Sequence, residues 1–182
     1  IPGKADLALA TTRTADGAVL LGGYKLKDCS VSDSTAAIAR VDATGRLDPA
    51  FGQGGVVTFD VPGERDRIAG IAALPDGRIV ALVWSMYPNP YDCATDQARL
   101  YYLRPDGTDA REGVALYRDS YAATSCRTSA TLQVDAEGTV LVGTELGVFY
   151  GDGVSVGDAL LPGNWRYGPF AKDPRLGLVG TT

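Results

Sequence analysis

The sequence predicts an all-β fold: a propeller-like array of three four-stranded antiparallel units, open as an incomplete or partial β-propeller. Three observations carry that expectation. The chain repeats itself, with turn glycines at Gly17, Gly77 and Gly138 separated by 60 and 61 residues. Each repeat places an Asp-Gly or Glu-Gly pair between a short apolar stretch and a β-branched run, the pattern of a tight hairpin whose glycine supplies positive φ. No segment keeps an i, i+3, i+4, i+7 apolar stripe over three turns without an intervening Gly or Pro, so helices have no support. Of 182 residues, 23 are Gly and 10 Pro, while 45% are hydrophobic, a composition of folded, turn-dense chains rather than disordered ones. A chain of this length holds one domain, residues 1–182.

The first hairpins are Ala8-Leu-Ala-Thr-Thr-Arg-Thr-Ala-Asp-Gly-Ala-Val-Leu-Leu-Gly22, Ala69-Gly-Ile-Ala-Ala-Leu-Pro-Asp-Gly-Arg-Ile-Val-Ala-Leu-Val83 and Ser129-Ala-Thr-Leu-Gln-Val-Asp-Ala-Glu-Gly-Thr-Val-Leu-Val-Gly143. A second hairpin follows in each unit, its alternating strand ending in an Asp-containing glycine turn at Gly45, Gly107 and Gly153. Four strands per unit divide the chain at about 5–60, 61–125 and 126–160, with an irregular aromatic tail over 161–182. The segment from Arg175 to Thr182 is expected as a final strand beside the first unit. It would cover an edge that three units leave open, unless a second copy or further units of a parent chain do so.

Composition excludes several chemistries. Histidine is absent, which removes Ser-His-Asp triads, Cys-His pairs and imidazole acid/base work. Gly153-Val-Ser-Val-Gly157 matches the G-x-S-x-G nucleophile pattern, but without a histidine base it reads as a strand with glycine ends. Net charge is −5, from 17 basic and 22 acidic residues, so nothing attracts a phosphate backbone and no nucleic-acid partner is expected. No run of 18 apolar residues occurs, and no membrane insertion is expected. Residue 1 is Ile, as in a processed or trimmed chain. No cofactor, metal site or catalytic residue is assigned. Asp42, Thr44 and Asp48 offer oxygens that a calcium ion accepts, yet a solvated turn explains them better.

One phrase is specific. Arg40-Val-Asp-Ala-Thr-Gly-Arg-Leu-Asp-Pro-Ala-Phe-Gly-Gln-Gly-Gly-Val-Val-Thr58, followed by Leu74-Pro-Asp-Gly-Arg-Ile-Val80, resembles the bacterial delta-60 repeat, a propeller-like family with an L-D-x-x-F-G-x-x-G-x-V core and a P-D-G-x-I-V hairpin. The match is fullest over residues 36–83. The second unit keeps Pro105-Asp-Gly107 but no L-D-x-x-F-G after it. The resemblance implies a secreted, periplasmic or cell-surface bacterial protein and transfers no catalytic residue.

Alternate connections of an antiparallel meander leave on opposite rims. The glycine turns share one rim. The other carries residues 24–35, 60–68, 84–97, 110–128 and the turn at Glu145–Gly147, and connections longer than a hairpin needs are where function concentrates. That rim holds the aromatic stretch Trp84-Ser-Met-Tyr-Pro-Asn-Pro-Tyr-Asp-Cys93. Candidate ligand contacts are Trp84, Tyr87 and Tyr91 for apolar area, with Arg65, Asp66, Arg67, Asp92 and Asp96 to orient a glycan or a protein segment. Trp84 also fits as a core residue at a strand end. Glu64, Asp66, Asp92 and Asp96 are the carboxylates that a carbohydrate-active enzyme, the alternative function, would use. Cys29, Cys93 and Cys126 fall on the same rim. Cys93–Cys126 is the expected disulfide, closing a loop of about 34 residues and contributing about 3 to 4 kcal/mol.

Overall fold

The computed structural model describes residues 7–26, 34–60, 65–86, 97–118, 131–144, 147–151, 170–171 and 179–180. All regular structure among them is β. The first unit is β1 (Leu7–Arg13), β2 (Val19–Leu26), β3 (Ser34–Val41) and β4 (Val56–Phe59), the second β5 (Arg65–Ala73), β6 (Ile79–Met86), β7 (Gln97–Leu103) and β8 (Arg111–Arg118). Both are antiparallel meanders, β1 to β4 and β5 to β8 each pairing in order. The third has β9 (Thr131–Val134), β10 (Val140–Thr144) and β11 (Gly147–Gly151) in the same antiparallel order. A single parallel bridge, Ser34 with Arg65, joins units one and two into one mixed sheet. The tail strands β12 (Phe170–Ala171) and β13 (Val179–Gly180) pair with each other. Expected beside unit one, β13 instead finds its partner within the tail, where chain closure is local.

The 60-residue period is physical as well as textual. Register shifts fall between Ala8 and Ala10 in β1 and between Ile68 and Gly70 in β5, so both units bulge at equivalent positions, Leu9 and Ala69. The glycines at 17, 45, 77, 107 and 138 have φ between +78° and +88°. Each closes a turn with the same two backbone bonds. In the first, the Gly17 amide donates to the Thr14 carbonyl at 3.0 Å and the Thr14 amide to the Ala18 carbonyl at 2.9 Å. This is a type I turn ended by a left-handed glycine, which hands the chain to the next strand with the right twist.

Two apolar cores hold the units together. β6 is buried over Ile79–Ser85, and successive side chains of a strand point to opposite faces. Ile79, Ala81 and Val83 enter a core with Leu20, Ala36, Ile38, Phe59, Ile68 and Ile71 of units one and two. Val80, Leu82 and Trp84 enter a second core with Leu100, Tyr102, Val140 and Val142, between units two and three. The middle unit is thus buried on both faces, which is why β6 reads as a continuous apolar run instead of alternating.

The delta-60-like phrase has a mechanical role. Phe51, 1% exposed, leaves its loop to join the first core. The next residue anchors to unit two: the Gly52 amide donates to the Asp106 carbonyl at 2.8 Å. Arg40 in β3 ties three segments. Its guanidinium pairs with Asp16, lies 3.2 Å from the Asp48 carboxylate, and donates from Nη1 to the Pro105 carbonyl at 3.0 Å. Phrase, first turn and the turn of the neighbouring unit are thereby locked together.

Candidate ligand-binding surfaces

On the glycine-turn rim the acids serve the turns. Asp42 Oδ1 accepts from the Thr44 hydroxyl at 2.7 Å and from the amides of Thr44 and Arg46. Asp106 Oδ1 accepts from the hydroxyl and amide of Thr108, and Asp16 Oδ1 from the Thr14 hydroxyl and the Ala18 amide. Hydrogen bonds to the charged form favour it. The Thr44 hydroxyl, then the Arg46 amide, hold the Asp42 carboxyl below its ordinary range. The Thr108 and Thr14 hydroxyls lead in doing the same for Asp106 and Asp16. At Asp76, desolvation opposes ionisation, but the Arg78 amide and guanidinium outweigh it and the carboxyl is lowered too. Asp42 and Thr44 therefore meet each other's hydrogen-bonding needs inside the turn, and among the described residues no group of three or more acidic or thiol side chains converges as a metal site.

The long-loop rim fares unevenly. Tyr87, Tyr91, Asp92, Asp96, Glu64 and all three cysteines, with the expected Cys93–Cys126 bridge, lie outside the described residues. Trp84 is 1% exposed and packs in the second core. It belongs to β6 because that strand runs on to Met86, so its ring presents no face to a ligand. Asp66 is fully buried within β5 rather than on a connector. The sequence signal for a loop there was only charge, and the strand continues beneath it. A carboxylate so enclosed cannot oppose a second one across a sugar. Arg65 and Arg67 are half-buried in the same strand.

The junction of units one and two carries a feature that sequence reasoning missed. A groove of about 540 Å³ lies where unit one meets unit two, lined by Lys25, Gly52, Gln53, Val56, Val57, Thr58, Gly107 and Thr108. Its volume falls within the range of small-ligand and peptide-binding clefts. Lys25 is the one ionisable residue of that lining. No local signal marks it, because it forms only where the phrase loop of one unit meets the second turn of the next.

No family model matches the chain, and no match is found among curated proteins. Among solved structures it is similar to a protein of unknown function from Dyadobacter fermentans DSM 18053, with a TM-score of 0.60 and 12% identity. The likeness covers 98% of this chain and 57% of that one. At that identity it speaks to the fold alone, and this chain spans little more than half the length of its structural neighbour.

Proposed function

We propose that the chain is a propeller-like repeat module of a bacterial extracytoplasmic protein, acting in binding or as a structural surface domain. The observation that carries this reading is the stacking of units through two apolar cores, with the middle unit buried on both faces. Repeats built so bury what none buries alone, and they offer their connections as working surfaces. The delta-60-like phrase supports it, since Phe51 and Gly52 are spent on fastening one unit to the next. Three units leave a ring open, and further units of a longer protein, or a second copy, complete it in this reading. A protein or glycan ligand sits on the long-loop rim, with Tyr87 and Tyr91 as anchors, Asp92, Asp96, Arg65 and Arg67 orienting it, and a Cys93–Cys126 bridge bracing the loops.

The test is a glycan array and a pull-down, each run with the parent chain and with Tyr87→Ala/Tyr91→Ala. Loss of about 1 to 3 kcal/mol of binding with an unchanged melting temperature supports the rim. Unfolding with residual affinity intact would make the tyrosines core and remove the proposed surface.

A further inference from the structure

Two arginines of β5 differ from the other arginines of the described residues. Arg65 and Arg67 pair with Met86 and Trp84 of β6, and the ladder keeps its register from Arg65 to Ile68. Their side chains therefore share one face of the strand, with Cα atoms about 7 Å apart. That face is the one on which Trp84 and Met86 meet the second core, so both arginines stand at its long-loop end, between units two and three. Asp66, between them in sequence, is fully buried and points to the opposite face.

Both arginines are half-buried. Arg40 and Arg78 are partly buried too, and each is paired with a carboxylate. Arg13 and Arg46 are exposed, and water solvates them. Arg65 and Arg67 have neither compensation: among the described residues no ion pair or hydrogen bond engages them, and Arg65 Nε is fully buried without a partner. Two like charges this close, with Trp84 and Met86 beside them, repel each other and are incompletely solvated. An anion held between them relieves both costs. A carboxylate has two oxygens, which a single guanidinium fork occupies, whereas a tetrahedral dianion has oxygens for both forks and a charge that matches the pair. The chain's net charge of −5 disfavours a polyanion and leaves a small dianion as the fitting occupant.

We propose that Arg65 and Arg67 form a phosphoryl-binding site, for inorganic phosphate or a phosphomonoester, at the long-loop end of the junction between units two and three. The inference rests on that rim being the working face and gives its ligand a dianionic group, but it does not require Tyr87 and Tyr91.

The whole ¹⁵N-labelled chain is titrated with sodium phosphate at a pH where the ion is a dianion, against sodium chloride of matched ionic strength. Saturable shifts of the Arg65 and Arg67 Nε–H signals are expected with phosphate only. Arg67→Gln should weaken binding by about tenfold or more, the scale of a lost charge-assisted fork. Arg67→Lys keeps the charge without the fork and should weaken it by less. Neither change touches the backbone ladder, so the melting temperature should hold; if a variant fails to fold, the wild-type signals decide. Equal shifts with chloride, or undiminished binding by Arg65→Gln/Arg67→Gln, overturn the site. Acetate binding as tightly as phosphate overturns the dianion. Glucose 6-phosphate binding more tightly than phosphate assigns the site to a phosphomonoester, and equal or weaker binding assigns it to the free ion; both support it. Phosphate binding retained by Tyr87→Ala/Tyr91→Ala, alongside unchanged glycan and pull-down signals, rejects the tyrosine anchors and leaves the arginine site standing, so the two failures are distinguishable.

Discussion

Gly107 and Gly45 have nearly the same backbone, φ +78° and +82°, in turns of the same kind, but very different surroundings. A Cβ on Gly107 would lie 2.7 Å from Phe51 Cε2, whereas one on Gly45 meets nothing within 4 Å. Gly45→Ala should therefore cost only the left-handed backbone penalty, about 1 to 2 kcal/mol. Gly107→Ala adds overpacking against a buried ring and should cost about 2 to 5 kcal/mol. Urea midpoints of the two variants separate the effects, and equal losses would mean that Phe51 yields freely. The turn acids make a second claim. Asp16, Asp42, Asp76 and Asp106 have carboxyls below the ordinary value of 3.8 in the folded chain. Below about that pH the unfolded chain binds more protons than the folded one, so this contribution is complete above it and is lost as pH falls through the folded values. Melting temperature should drop on acidification below about pH 4, and the drop should be shallower in the variant with all four changed to Asn. The glycines of these turns were legible because Asp-x-x-Gly and Asp-Gly sequences state their own backbone requirement locally. Arg40 was not: an arginine in an alternating strand looks like any solvated side chain, and its three partners come from turns 24 residues before it, 8 after and 65 after.

At the scale of elements, the phrase loop and β6 set how strongly the units adhere. Phe51 sits on a loop yet is among the most buried side chains of the first core. Phe51→Ala should cost about 3 to 5 kcal/mol, the price of an aromatic cavity, by calorimetry or urea unfolding. A loss below 1 kcal/mol would show that the phrase closes without its plug. β6 shows why the ligand candidates divided as they did. Its uninterrupted apolar run was legible as a strand, but the strand's end was not. Trp84 therefore looked like the start of an aromatic loop, although Arg67 and Ala98 pair with it across both neighbouring strands. In the same way Asp66 follows charged neighbours in sequence while lying between β3 and β6 in space, where the Ser34 hydroxyl donates to its carbonyl at 3.1 Å. Charge and ring count describe a segment's composition, and neither reports where sheet pairing stops.

For the whole molecule, the arrangement of the two cores makes the middle unit depend on both neighbours. Val80, Leu82, Trp84, Leu100 and Tyr102 are covered by β9 and β10 residues, Val140 and Val142 among them. A fragment of residues 1–120 keeps the first core and its fastening by Phe51, Gly52 and Arg40, so units one and two should still fold. The same cut uncovers the second face of unit two, a contiguous apolar patch of the kind that a solitary domain does not leave in water. The fragment should therefore retain a β-type circular dichroism spectrum and a cooperative transition, while light scattering reports a higher degree of association than the full chain shows at the same concentration. Trp84→Lys within the fragment should restore the monomer, because a charge at the centre of the patch opposes its burial. A monomeric unsubstituted fragment of unchanged melting temperature would mean that the second core contributes little, and that the units adhere by the phrase loop alone.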